Sequence, residues 1–162
     1  MLKIGEMIAA RVYREEAFGV FLRYEGNEIF IHLPELSWTD TRPANMRGLI
    51  DQVIKVKIID YISDKNQWVA SARKADGVEN PYLEMSKKPI GFVFDGKIFT
   101  KSAMGHYFVR LENGAIGRLE DDEQVAPIKI GADVSVSITY LEPYEGHLGL
   151  TMKLAAHDNK PL

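Results

Sequence analysis

Four rings crowd one short stretch of this chain: Phe18, Phe21, Phe30 and His32 all fall in EAFGVFLRYEGNEIFIHLPEL, between Glu16 and Leu36. Flat π-faces of this kind hold the bases of single-stranded nucleic acid, each stacked base contributing about 1–3 kcal/mol. Whether they act together depends on where the chain points them. Val20 and Leu22 alternate with Phe21 and Arg23, and Ile29, Ile31 and Leu33 alternate with Phe30 and His32. Joined by the turn Glu25-Gly26-Asn27, the two runs read as a hairpin with its aliphatic side chains inward and its rings outward, and Phe18 stands at the strand entrance. Apolar rings left together on the outside of a sheet ask for an explanation beyond folding. Base stacking is one; the other is that one or two of them cover a loop or pack against another domain.

The elements that must carry this hairpin follow from the same periodicity. Lys3 to about Tyr13 reads as a first strand, with a helix over Glu6 to Arg11 as the competing reading, and Arg14 to Glu16 as a polar loop. PELSWTDTRPANMRGLID after the hairpin is too rich in turn formers for a long element, with a short helical turn near Glu35 to Trp38. Gln52 to Tyr61 alternates Val and Ile inward with Lys55 and Lys57 outward, and a turn at Ser63 to Asn66 leads into a closing strand from Gln67 to Lys74. Five short strands in this span suit a small closed barrel. Trp38 and Trp68 read as core or loop anchors rather than base platforms.

Ala75 to Ile90 lacks periodicity and reads as a linker with one helical turn around Tyr82 to Met85. The strand pattern then returns: Gly96 to Ile98, Gly105 to Leu111, Ala115 to Leu119, Gly131 to Tyr140 and His147 to Lys153. Superposed without a gap, Gly19 falls on Gly105, Phe21 on Tyr107 and His32 on Arg118, while Ser71 falls on Thr151 in the closing segments. An internal repeat of this length means two successive domains of one architecture. The expected fold is all-β: two five-stranded barrels, a first domain over residues 1–75, a linker over 76–90, a divergent second domain over 91–155, and a C-terminal tail over 156–162.

The run Phe18-Gly19-Val20-Phe21, the outward His32 followed by Leu33-Pro34-Glu35-Leu36, and the closing Ser71-Ala72-Arg73-Lys74 resemble the OB-fold RNA-binding domain repeated in the ribosomal protein S-one family. That resemblance implies that single-stranded RNA lies on two strand-two rings and the strand-three histidine, here Phe18, Phe21 and His32. The family's closing-turn arginine corresponds to Gln67. In the second copy Met104 stands for Phe18, Tyr107 for Phe21, Arg118 for His32, and His147 takes the closing-turn position, while Glu120-Asp121-Asp122-Glu123 puts four acids beside that face.

Charge is divided unevenly. Residues 1–74 hold 11 Lys and Arg against 10 Asp and Glu (+1), residues 91–162 hold 7 against 10 (−3), and the linker carries the remaining −1 of a formal net −3. Neither half has the strong positive charge that drives non-specific phosphate binding, so affinity rests on stacking with local cations at Arg11, Arg23, Lys55, Lys57 and Arg73. Protein contact is the expectation for the acidic second copy.

Other chemistries find little footing. With no cysteine there is no disulfide, thiolate nucleophile or Cys-based zinc site. The histidines at 32, 106, 147 and 157 lack metal-ligand spacing, and neither a phosphate-cradling glycine loop nor a nucleophile motif occurs. No enzyme, metal or cofactor is expected; a hidden hydrolase would have to hold a divalent metal on Asp121, Asp122 and Glu123. No apolar run approaches the roughly 20 residues of a membrane span, and MLKIGEMIAARV lacks a signal peptide's apolar core, which points to the cytoplasm. The expected role is a non-enzymatic protein of translation or RNA turnover and its regulation that binds single-stranded RNA through its first barrel. The alternative is an adaptor that docks the ribosome or another protein through residues 91–162.

Overall fold

The alternating runs close into two five-stranded barrels in a computed structural model that describes residues 1–120 and 128–152. The first unit spans Met1–Glu79 and the second begins at Asn80. In the first, β1 (Met7–Glu16), β2 (Gly19–Tyr24), β3 (Asn27–His32), β4 (Val53–Ile62) and β5 (Gln67–Ser71) close in the order β1-β2-β3-β5-β4. All pairings are antiparallel except β3 with β5. The hairpin turns at Glu25 (φ 49°) and Gly26 (φ 79°), two consecutive left-handed residues of the kind whose twist matches that of paired strands.

Inside, Val12, Val20, Leu22, Ile29, Ile31, Val56 and Ile58 are fully buried. Each contributes roughly 1.5–3 kcal/mol by leaving water, so a one-residue slip of the hairpin, which would turn Val20 and Leu22 outward, is strongly disfavoured. That core is what fixes the outward aim of Phe21, Phe30 and His32.

Strand β1 runs further than its sequence suggests. Arg14, Glu15 and Glu16 pair with Phe21, Val20 and Gly19, after a register shift that leaves Tyr13 as a bulge. The polar triplet read as a loop is therefore strand, because a bulge resets the inside-outside alternation that its side chains otherwise break.

The long connection from β3 to β4 is tied to the end of β5. It opens with a 3-10 turn at Leu33–Glu35, which meets at Glu35 the helical turn expected near Glu35 to Trp38. The Glu35 carbonyl accepts from the amides of Ala72 and Arg73, at 3.0 Å each. Its carboxylate accepts from Ser71 Oγ at 2.6 Å and from Arg73 Nε and Nη2 at 3.1 and 3.2 Å. Trp38 donates Nε1 to the Arg73 carbonyl at 2.8 Å and lies under that guanidinium, 4.1 Å from its ring centre. Arg73 is only 7% exposed, so it is a clamp of the fold and does not lie among the exposed cations with which it was grouped from sequence.

The second unit starts with a helix, α1 (Pro81–Met85), capped by the Asn80 side chain on the amides of Tyr82 and Leu83. Tyr82 is buried, and its Oη accepts from the Ile116 amide at 2.9 Å. These residues, read from sequence as linker, therefore pack as part of the second unit. Strands β6 (Phe94–Lys101), β7 (Tyr107–Leu111), β8 (Ile116–Leu119), β9 (Asp133–Glu142) and β10 (His147–Thr151) close in the order β10-β8-β7-β6-β9 around Ile98, Val109, Val136 and Leu150.

Candidate nucleic-acid interface

On the outside of the first barrel, Phe21 pairs directly with Phe30 across β2 and β3, and Gly19 with His32. Phe30 is the hub of the cluster. Its ring centre lies 4.8 Å from Phe21, 5.9 Å from Phe18 and 4.6 Å from His32, the last edge-on at 76°. Being enclosed by the others it is 8% exposed, whereas Phe18 is 49% exposed, His32 is exposed and Phe21 half-buried. Phe30 thus points outward as the pleat requires yet lies underneath, so it supports the surface formed by Phe18, Phe21 and His32 and offers little face of its own. Such ring pairs add about 0.5–1.5 kcal/mol each beyond burial, which helps to hold the surface in shape.

Two residues that sequence reasoning passed over complete the surface. Gly19 lets the Phe30 ring lie against the β2 backbone: a Cβ there would stand 2.7 Å from Phe30 Cε1 and 2.3 Å from the Ile31 carbonyl oxygen. A glycine opposite a ring in an otherwise ordinary strand is the signal that would have found it. Arg14, paired with Phe21 on the extended β1, sets its guanidinium 4.4 Å from that ring's centre and touches Glu16 at 3.2 Å. Only recognition of the bulge would have placed it there.

Beside the rings, Arg23 lies 4.1 Å over the ring of the bulged Tyr13, whose hydroxyl donates to Glu28. Burial pushes the Tyr13 hydroxyl up, and the bond to Glu28 adds to that; the same bond is the main reason the Glu28 carboxyl is held low. Gln67, at the family's closing-turn arginine position, donates to Glu28 at 3.0 Å. Arg11 pairs with Arg23 across the strands and donates to the Asp51 carbonyl at 2.8 Å. Lys55 and Lys57 are not brought to the rings: they sit on β4, the strand farthest round the closed barrel from β2 and β3.

The second barrel has the same frame in a shifted register. In the first barrel Val12 pairs with Leu22 and, past the bulged Tyr13, Arg14 pairs with Phe21. In the second, Ile98 pairs with Val109 and, past the bulged Phe99, Thr100 pairs with Phe108. Phe108, not Tyr107, therefore stands at the place of Phe21, because the β6–β7 connection is one residue longer than its counterpart. Tyr107 shares the face of the buried Val109 and Leu111, with Lys101 Nζ 5.1 Å from its ring centre.

Another added residue lies between β7 and β8. Arg118 pairs with Phe108 as Phe30 pairs with Phe21, so Arg118 takes the place of Phe30 and Glu120 that of His32. Those two form an ion pair at 2.9 Å. His147 is exposed at the start of β10, paired with Glu142. Gly105, not Met104, falls at the position of Phe18. The positions of Phe21, Phe30 and His32 are thus taken in the second barrel by Phe108 and a salt bridge.

Residues 2–73, the first barrel, match the S1 RNA binding domain. The likeness to that domain lies in the first barrel. Three relatives show how the likeness extends. The small ribosomal subunit protein bS1 of Chlamydia trachomatis is 25% identical over 167 residues, covering 97% of this chain and 29% of that protein. The polyribonucleotide nucleotidyltransferase of Lactococcus lactis is 34% identical over 88 residues, covering 54% of this chain and 11% of that protein. The 4-hydroxy-3-methylbut-2-enyl diphosphate reductase of Clostridium acetobutylicum is 27% identical over 162 residues, covering 94% of this chain and 25% of that protein. The chain spans less than a third of each of these relatives, and a reductase activity does not transfer on a quarter of a sequence.

Among the described residues no group of three or more histidine, cysteine or acidic side chains is arranged to hold a metal ion, and no helix is long and apolar enough to cross a membrane. The hydrolase alternative on Asp121, Asp122 and Glu123, like His157 and the acidic loop beyond Glu120, falls outside the described residues.

Proposed function

We propose that the first S1 barrel binds single-stranded RNA with low sequence preference by stacking bases on Phe18, Phe21 and His32, with Phe30 beneath them and Arg14 and Arg23 beside them. The observation that carries this reading is the preassembled ring cluster around Phe30, held at centroid distances of 4.6 to 5.9 Å on the outward face. A surface already ordered loses little conformational freedom on binding. The S1 RNA-binding family match and the similarity to a ribosomal protein and to an enzyme named for polyribonucleotides support RNA as the ligand and a role in translation, RNA turnover or their regulation. The protein acts as a binder without catalysis.

For the second barrel, protein contact is the reading favoured by the Arg118–Glu120 ion pair. A carboxylate at the His32 position repels phosphate, while a charged pair suits a polar protein surface. A ribosome or an RNA-processing complex is the partner this reading names.

Titration of oligo-A or oligo-U RNA into the full chain and into a Phe21→Ala/His32→Ala variant, at two salt concentrations, tests the first reading. Binding should be lost in the variant and weakened by salt. Equal binding by both proteins would remove the ring surface from the mechanism. Absence of RNA binding, with a protein partner recovered through residues 91–162, would favour the adaptor.

A further inference from the structure

The ring surface does not end at β2. Arg14 lies over Phe21, Arg23 over Tyr13, and Arg11 pairs with Arg23 in the same outward row of β1 and β2. Like charges directly opposite one another destabilise a sheet. Among the described residues Arg11 is paired with no carboxylate: it donates to the Asp51 carbonyl, and its partner on β4 is Val53, 54% exposed. One bond to a carbonyl leaves most of a guanidinium's five N–H donors free. Next along β4, Lys55 pairs with Ala9 and is exposed.

The second barrel keeps this frame and cancels its charge. Lys97 pairs with Arg110 as Arg11 does with Arg23, and Arg110 lies 4.3 Å over the bulged Phe99 as Arg23 lies over Tyr13. At the place of Val53, however, stands Asp133, which holds Lys97 at 3.0 Å. At the place of Lys55 stands Ser135, donating to Asp95, which occupies the place of Ala9. The counterparts of Arg11 and Lys55 are thus an ion-paired lysine and a serine, while that of Arg23 remains an arginine.

Resting on the stacking surface proposed above, we infer that bound RNA continues past the rings across β2 and β1 onto β4, with phosphates meeting Arg23, Arg11 and then Lys55. At about 4.8 Å between strands, the path from β3 to β4 covers roughly 14 Å of curved wall. Base stacking then anchors one end of the RNA and a phosphate track carries the other. Glu28, beside Arg23 but committed to Tyr13 and Gln67, tempers the attraction along the track. Short RNA occupies the rings alone, and only longer RNA reaches Arg11 and Lys55.

The test compares oligo-A of about four and about twelve nucleotides, inside the roughly 4–16 nucleotide range of single OB barrels. Binding to the full-length chain is read by fluorescence anisotropy at several salt concentrations. An Arg11→Gln/Lys55→Gln variant should lose roughly tenfold for the longer RNA, with a salt slope smaller by about one, and stay within about twofold for the shorter one. Arg11→Lys/Lys55→Arg should restore the longer RNA's affinity. Equal loss at both lengths, or no change for the longer RNA, would overturn the track while leaving the ring surface standing. Wild-type protein that binds neither RNA would overturn the ring surface itself, and the track with it.

Discussion

The ring of Phe30 lies against the backbone of Gly19, so close that a Cβ on that glycine would stand 2.7 Å from Cε1 and 2.8 Å from Cζ. The hub of the ring cluster is therefore seated in a gap that only a missing side chain provides. Gly19→Ala should push Phe30 outward, disturb the contacts with Phe21 and His32, and cost about 1–3 kcal/mol of stability by overpacking. Thermal melting and RNA titration should both show the loss; an alanine variant with native melting and native affinity would mean that Phe30 does not need this seat.

Individual ring deletions should differ by position. Phe21→Ala removes an exposed face and the seat of Arg14, and should weaken RNA binding by about 1–3 kcal/mol with little change in melting temperature. Phe30→Ala removes the support, and should lower both melting temperature and affinity. Equilibrium binding and calorimetry on the two variants check the contrast.

Acid should loosen the first barrel through Glu35. Burial by itself raises that carboxyl's pKa, but hydrogen bonds from Arg73 and Ser71 with the charges of Arg73 and Lys74 outweigh it, and the net shift is downward. A folded-state pKa below the unfolded value of about 4.3 contributes stability that is present above that pH and lost as pH falls through the folded value. Glu35→Gln should be less stable near neutrality, since it takes a carboxylate away from the buried Arg73; breaking such a pair costs about 3–5 kcal/mol. It should also show a smaller fall in stability on acidification than wild type, and melting curves from neutral pH down to about 3 measure both. Parallel curves would assign the acid response elsewhere, Glu28 and Asp40 being the other carboxyls held low in this unit.

The second barrel should be silent towards RNA. Arg118→Ala breaks the ion pair with Glu120 at an exposed site, where such pairs contribute about 0–1 kcal/mol. RNA affinity of the full chain should stay within about twofold of wild type. A tenfold loss would bring Arg118 back into the RNA site.

The hairpin, its pleat and both barrels were legible because aliphatic and polar residues alternate cleanly through Val20, Leu22, Ile29 and Ile31. The rest was hidden by single-residue events. A bulge at Tyr13 carries Arg14 onto the ring face, and no periodicity announces a bulge. One added residue before β7 and another before β8 move Phe108 to the place of Phe21 and Arg118 to that of Phe30, so the ungapped repeat aligned the right strands on the wrong residues. Arg73 looked like a surface cation because its partner, Glu35, is distant in sequence and meets it only when the barrel closes. Lys55 and Lys57 were correctly placed outward, but outward on a closed barrel covers every direction.

Ring-proton NMR of the full chain during titration with oligo-A tests the account most directly. Stacked bases should shift the ring resonances of Phe18, Phe21 and His32 upfield and give contacts between their protons and those of the bases, with small changes in residues from Phe94 onward. RNA that binds while these rings keep their shifts, and that perturbs the second barrel instead, would contradict it.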